Sequence, residues 1–537
     1  MDPRRPTMDP RRPNSDGPPG REDDQEVFDP DAGEGALPQD HFAGVTLTLL
    51  AIALLATLKA LNLPLESTPT LVIAPIGAAL AVRYPNQAVL GLFAVTGFSG
   101  SIIALTPIAA KPAGTLILFA LLLAIFVGWL NRDRRKVRAW PALIAVIAYL
   151  VISLIDILVA DPTSDGVESF RLSQLLLLLV PALALAPWPQ WRFTEIAWLA
   201  VLCGGAVGVY GCYRWLVGPA PEEAAVARIA AASLPDAAKI RFYASQATAA
   251  QLSLWCSAMF TLALAGSLGW QGRRRLVAVA VTGMSAFLVI ACEVRTGTVA
   301  IAVAAAIVLL LTQLTRALPG GSKTIASLLA VLAIAVSAAG IVALTVGKSE
   351  SSSDRFGRIL SPNSDASYTT RLDRWSRIWP ALDDRLLGHG LGTFGEVAGQ
   401  GTALPEAYGV ESSFIKVGYE QGLPVMVLYG AALLILGVGL AIGAINTVNR
   451  DAAVLAIAAA GALATIAIHF YTGNYTENFQ VMGCWIIVGI GAAAFTSAIP
   501  PGRESRPPRH RRGRGRGRRR DHPARRRIPV DAKPTTA

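Results

Sequence analysis

The fold class that this sequence predicts is an all-α, polytopic bundle of membrane-spanning helices, and three observations predict it. Of 537 residues, 53% are hydrophobic and 16% charged, and the mean hydropathy is +0.46; an ordinary soluble domain carries about a quarter charged residues, so the composition argues against a water-soluble globular enzyme. Apolar runs of the length that crosses a bilayer as a helix, about 17 to 25 residues, recur from Phe42 to Phe495. The formal charge of +11 is unevenly spread: residues 502–537 alone carry +11, residues 1–41 carry −6, and the body between them keeps +6. A charge divided in this way reports topology before it reports a partner.

Residues 1–41 repeat MDPRRP at Met1 and Met8 and continue in Asp, Glu, Pro and Gly. Such a segment buries too little apolar area to offset its chain entropy and reads as a disordered acidic cytoplasmic tail, with Met8 as an alternative start. It precedes any apolar run, the wrong order for a cleavable secretory signal, so the first span must direct insertion. Spans are expected at about 42–61, 70–82, 87–105, 113–130, 140–159, 172–186, 193–216, 247–269, 276–292, 297–314, 324–346, 423–443, 452–470 and 479–497, about fourteen in all. Residues 42–346 thus hold spans one to eleven, 347–422 form a large loop, 423–501 hold spans twelve to fourteen, and 502–537 form a disordered basic cytoplasmic tail.

Orientation follows from the loops. Arg132, Arg134, Arg135, Lys136 and Arg138 follow the fourth span, Arg273, Arg274 and Arg275 follow the eighth, and the basic tail follows the last. All three fall on the cytoplasmic side if the count is even and both termini are cytoplasmic. The opposite side receives two long connections, 217–246 and 347–422, and the second alone is large enough to form a small structure of its own. The five cysteines, Cys203, Cys212, Cys256, Cys292 and Cys484, lie in or at the ends of apolar segments without CxxC spacing, so neither a disulfide framework nor a zinc site is indicated.

The chemistry concentrates after residue 290. Arg295 stands between two spans in Glu293-Val294-Arg295-Thr296-Gly297, at a depth where an ionisable group has a polar cavity or a partner; the structural alternative is a snorkelling Arg paired with Glu293. Tyr368 to Asp384 reads as an amphipathic helix whose apolar stripe is Ile378, Leu382, Trp375, Trp379 and Leu372, with Arg371 inside it, Arg374 at its edge and Arg377 and Asp373 on the wet face. Arg371 is thereby directed at whatever the helix covers, unless only its stem packs and its head reaches water.

Gly388, Gly390 and Gly392 alternate around His389, but not in the order strand, P-loop, helix, so no nucleotide site follows and a plain turn accounts for them. Glu411 opens a second amphipathic stretch, ESSFIKVGYEQG, and shares a face with Phe414, Ile415 and Gly418; a helix N-cap would explain it without function.

These features together resemble the bacterial O-antigen ligase and polysaccharide polymerase family, integral-membrane glycosyltransferases that use polyprenyl-pyrophosphate-linked glycans. The resemblance is most specific over about 290–425: the Arg opening a span in VRTGT, the helix bearing Arg371, Trp375 and Trp379, the G-x-G-x-G-x-F at Gly388, and the helix ending Tyr419-Glu420-Gln421-Gly422. Ligases of the family usually carry a His at the start of that last helix, where this sequence has Glu411-Ser412-Ser413; the departure favours the polymerase branch.

The resemblance implies a multispanning bundle capped by a helical periplasmic loop, in the bacterial inner membrane. The implied reaction is attack by a sugar hydroxyl of one lipid-linked unit on the anomeric carbon of another chain, with polyprenyl pyrophosphate leaving. Arg295 and Arg371 would hold the growing negative charge, with Arg374 as a weaker helper, and Glu411 would accept the hydroxyl proton, with His389 as a substitute. Lys239 and Arg241 would meet the second lipid pyrophosphate. The five His supply no metal cluster, so no metal and no cofactor are expected.

The expected partners are the lipid-linked oligosaccharide, membrane lipid and, as a candidate, a chain-length co-polymerase. The rivals are a ligase transferring finished glycan to lipid A core or protein and, from another class, a transporter or lipid flippase. Transport would place ionisable residues in midspan, yet only Asp156 is a clear acidic one, near a span end, and the two halves show no convincing repeat. The Arg/Gly run 512–518 follows a span on the cytoplasmic side, where anionic headgroups suffice as its counterpart and no nucleic acid is called for.

Overall fold

The structure is a computed structural model that describes residues 68–105, 110–130, 141–159, 164–186, 188, 190–231, 242–325, 366–394, 411–476 and 480–496. The expected first span, the basic clusters at 132–138 and 502–537, Lys239, Arg241 and nearly all of span 324–346 lie outside the described residues.

Among the described residues every regular element is a helix: α1 Thr68–Arg83, α2 Pro85–Gly97, α3 Ser99–Leu105, α4 Ala110–Leu130, α5 Pro141–Val159, α6 Ser164–Leu177, α7 Leu179–Leu185, α8 Gln190–Val217, α9 Pro221–Ala231, α10 Ala249–Gly269, α11 Gly272–Ala291, α12 Arg295–Leu314, α13 Ala366–Asp384, α14 Ser413–Gln421, α15 Leu423–Asn446, α16 Arg450–Thr472 and α17 Val481–Thr496. Seven helical stretches among the described residues are long and apolar enough to cross a membrane: Gly166–Leu185 and those in α8, α10, α11, α12, α15 and α16. Shorter apolar helices lie within α4, α5 and α17. The chain is a polytopic helical membrane protein.

The centre of the bundle is α10, buried without a break from Leu252 to Gly269, packed against α11, α12 and α16. Small residues let it approach: Gly461 of α16 faces Thr261 of α10, and a Cβ on Gly269 would sit 1.9 Å from Val454. These pairs run in opposite senses, so α10 and α16 are antiparallel. The start of α10, the start of α12 and the end of α16 therefore share one end of the bundle, which α13 and α14 cover. Both long connections reach this end, while Arg273, Arg274 and Arg275 sit at the other. There Arg450 donates to the carbonyl oxygens of Gly269 and, at 3.5 Å, Trp270, satisfying acceptors that the end of α10 leaves open.

Three expectations are corrected. The run 87–105 is not one span: it breaks at Phe98 between α2 and α3. The loop before α10 is inserted there. The Ser245 hydroxyl donates to the Gly97 carbonyl at 2.7 Å and Gln246 Nε2 to the Thr96 and Gly97 carbonyls at 2.8 Å, while Gly100 N donates to Ser245 O at 2.9 Å. A helix can break at this depth because buried protein groups replace the lost ladder. The run expected at 172–186 begins earlier, at Ser164, and bends between α6 and α7 at Leu178, three residues before Pro181, whose ring and missing N–H disfavour a continuous ladder. The connection 217–246, read only as a loop, contains α9. Its Glu223, 5% exposed, accepts from Ser101 at 2.6 Å and pairs with Arg214 at 3.2 Å.

Candidate functional site

The site is assembled by the docking of α13 and α14 on the end of α16. Ser412 is the N-cap of α14, its hydroxyl accepting from Ile415 N. The Ser413 hydroxyl donates to Gly473 O at 3.0 Å and accepts from Tyr475 N at 3.0 Å. On α13, Trp375 meets Tyr471 edge to face with ring centroids 5.2 Å apart. On the far side of the same α16 end, the Thr472 hydroxyl donates to that of Thr296 at 3.0 Å, next in sequence to Arg295. Arg295, the first residue of α12, is half-buried beyond a three-residue turn in which Glu293 has φ +53°. One helix end thus organises both arginines and Glu411 around residues 471–475.

Arg371 points where the periodicity placed it. The covered line of α13 is the partly buried Trp375 with the buried Ile378 and Leu382, one turn apart, and Arg371 continues it. Trp379 and Leu372, assigned to the same stripe, are instead 50% and 40% exposed, because they stand about 70° and 90° around the helix from the centre of that line. Ile378 and Leu382 pack with Phe394, Ile415 and Tyr419 in a small apolar cluster that holds α13 on α14. At its end Arg371 Nε donates to Glu411 Oε2 at 2.7 Å, and Nη2 closes on the same oxygen. Glu411 is therefore not the helix cap; the cap is Ser412, and the carboxylate one residue earlier turns to the guanidinium. Arg374 is half-buried beside it, and Arg377 pairs with Asp373 at 2.7 Å on the exposed face.

The glycine loop has a different task. A helix leaves its last carbonyls without internal partners, and those of α14 are met by this loop: His389 N donates to Tyr419 O at 2.9 Å and Gly390 N to Glu420 O at 2.8 Å. Turning these N–H groups inward takes φ of +72°, +93° and +82° at Gly388, Gly390 and Gly392, a conformation that disfavours any side chain. Contact also forbids one at Gly388, where a Cβ would stand 2.4 Å from Glu420 O. His389 stacks flat on Tyr419 at 4.1 Å, and its Nδ1 lies 3.1 Å from Tyr419 O. His389 thus docks at the end of α14, whereas Arg371 and Glu411 meet at its start, about 9 Å away along the axis by helical rise.

Beneath the loop lies a pair that the sequence reading did not single out. Lys416 and Glu420, each 1% exposed, join at 2.6 Å. Glu420 Oε1 also accepts from Gly392 N at 3.0 Å and Phe394 N at 3.2 Å, and Lys416 Nζ also donates to Phe394 O at 2.8 Å and Ser169 Oγ at 3.3 Å. The ammonium's three donors are all used, as a buried charge requires. A cavity of about 10 Å³, roughly one water in size, adjoins the pair and is lined by polar groups of Tyr149, Gln174 and Thr476 as well as by apolar Leu177, Val417 and Phe470. The available signal was a Lys and a Glu four apart in an otherwise apolar helix. Among the described residues no group of three His, Cys, Asp or Glu side chains gathers as a metal site would.

No curated protein matches the chain. Residues 280–430, which run from within α11 into α15 and contain Arg295, Arg371, the glycine loop and Glu411, match the family model described as O-antigen ligase. Over this segment the chain is similar to the O-antigen ligase family, whose branches the match does not separate.

Proposed function

We propose that this protein is a glycan-transferring enzyme of the membrane that joins polyprenyl-diphosphate-linked repeat units into a polysaccharide, an exopolysaccharide, capsule or O-antigen, at the periplasmic face of the bacterial inner membrane. The observation that carries the reading is the meeting of Arg371 with Glu411 against the same end of α16 that anchors the start of α12 at Arg295. Arg295, Arg371 and Glu411 lie within the family-matched segment, and the end of α16 lies beyond it.

A sugar hydroxyl of one lipid-linked unit attacks the anomeric carbon of another. The bond to the diphosphate breaks, and negative charge grows on the leaving polyprenyl diphosphate. Guanidinium groups fixed in a half-buried site suit that charge, because their forked donors match phosphate oxygens. Glu411 is the carboxylate at the site and takes the role of proton acceptor. His389 is the less suitable base, lying at the other end of α14. The second reading is transfer of finished glycan to a lipid A core or a protein, favoured by the description of the matched family; Glu411-Ser412-Ser413, where such ligases usually carry a His, favours polymerisation.

The test is turnover by purified protein given only lipid-linked repeat, without added metal or nucleotide sugar. A product ladder is expected from the parent. Arg295→Ala and Arg371→Ala should each lower turnover about 100-fold or more, the order lost with one charge-stabilising donor, and Arg371→Lys should recover only part. In cells, single repeats should accumulate on lipid at the periplasmic face. Undiminished polymer from either Ala variant at normal abundance would refute the assignment. A ladder that forms only when lipid A core is supplied would select the ligase, and accumulation at the cytoplasmic face would select a flippase.

A further inference from the structure

One ion pair lies within α14 and another at its start, and their environments differ in a way that assigns them different tasks. Lys416 and Glu420 are sealed at 1% exposure each. Arg371 and Glu411 keep 29% and 40% of their side-chain surface in solvent. Both guanidinium contacts fall on one carboxylate oxygen, Oε2, whereas the strong Arg–carboxylate geometry is a fork that engages two. A half-exposed, single-oxygen pair is weak and open to exchange. A diphosphate offers the same guanidinium more negative charge and several oxygens.

We propose that Glu411 is the exchangeable counter-ion of Arg371: the diphosphate of the arriving donor takes over the guanidinium, and the released carboxylate then serves as the base for the attacking hydroxyl. This rests on the reading of Arg371 as a diphosphate ligand given above. The step balances. The hydroxyl oxygen bonds to the anomeric carbon, the carbon–oxygen bond to the diphosphate breaks with its electron pair leaving on the diphosphate, and the hydroxyl proton passes to Glu411.

When the polyprenyl diphosphate departs, Arg371 recaptures the carboxylate and the proton is lost to solvent. Base and anion site are thus switched by one event. In the empty enzyme the carboxylate is committed to Arg371, and it is released for the acceptor when donor is bound. The ordering guards the lipid-linked donor from reaction out of sequence.

The alternative is that Glu411 merely holds Arg371 in place, and the two differ in the sign of one measurement. Full-length protein in lipid nanodiscs is titrated with undecaprenyl diphosphate and, separately, with inorganic pyrophosphate. If the two anions compete, Glu411→Gln and Glu411→Ala should each bind both probes about three- to fivefold more tightly than the parent, the equivalent of a half-exposed ion pair. Turnover should fall at least 100-fold, as loss of a general base does.

Weaker or unchanged binding in the Glu411 variants, with Arg371→Ala also weak, overturns the exchange and leaves Glu411 a positioning residue. Tighter binding of the lipid but not of inorganic pyrophosphate overturns it too, since the competition would not be at the headgroup. If Arg371→Ala binds both probes as the parent does, the reading of Arg371 itself fails, and the exchange with it. A Glu411→Ala variant that retains the parental unfolding midpoint guards against mistaking misfolding for weak binding.

Discussion

Removing Lys416 while keeping Glu420 should be among the most damaging single changes in the family-matched segment. Lys416→Met keeps the length and apolar stem of the side chain but takes from Glu420, at 1% exposure, the cation that balances its charge, while the backbone N–H groups of Gly392 and Phe394 still donate to it. A buried charge stripped of its partner costs about 3–5 kcal/mol. Adding Glu420→Gln should recover most of that, because the amide oxygen can still accept from both N–H groups while the charge is gone; the residual, from the lost donor to Phe394 O, is about 1 kcal/mol.

Glu420→Met in place of Gln should recover less, since it orphans both N–H groups at about 1–3 kcal/mol each. The assay is the denaturant midpoint of purified protein in mild detergent, for the single and double variants side by side, read as a double-mutant cycle. A loss below about 1 kcal/mol for Lys416→Met, the range of an exposed pair, would refute the reasoning. So would a double variant no more stable than the single.

Two further predictions separate close contact from backbone conformation. Gly388→Ala meets both a φ of +72° and a Cβ position 2.4 Å from Glu420 O, whereas Gly272→Ala meets a φ of +59° with nothing within 4 Å; the first should lower stability by about 2 kcal/mol or more and the second by about 1 kcal/mol, as the same midpoints would record. Gly297→Ala would place its Cβ 1.8 Å from Ser253 Oγ and should cost about 1–3 kcal/mol by overpacking. Ser253→Ala in the same chain should return most of that loss, and if it does not, the close approach of α10 and α12 beside Arg295 is misplaced.

Much of the site was legible because helical periodicity is local. The line Arg371, Trp375, Ile378, Leu382 is fixed by a 100° step alone, and it placed Arg371 on the covered face before any partner was known. The partner was not legible, for Glu411 stands 40 residues away and only the folding of α13 onto α14 brings the two together. The break at Phe98 was hidden for the same reason. The apolar run passes through it without Pro, and its cause, Ser245 and Gln246, lies almost 150 residues on. Lys416 and Glu420 were visible as residues but not as a buried pair, since spacing of four describes an exposed pair equally well.

That ambiguity matters beyond this chain, because sequence spacing marks where charges can meet while burial decides what the meeting is for. In Lys416–Glu420 the ions are sealed and every donor of the ammonium is used, so neither can leave without orphaning the other, and their natural consequence is a fixed loop. In Arg371–Glu411 the ions are within reach of water, so a better anion can part them at the cost of about one weak surface contact. Under the proposed transfer, a site that admits and releases a charged lipid on every turnover would use both kinds along α14: a sealed pair within it that holds the glycine loop, and at its start an exchangeable pair where the donor would enter.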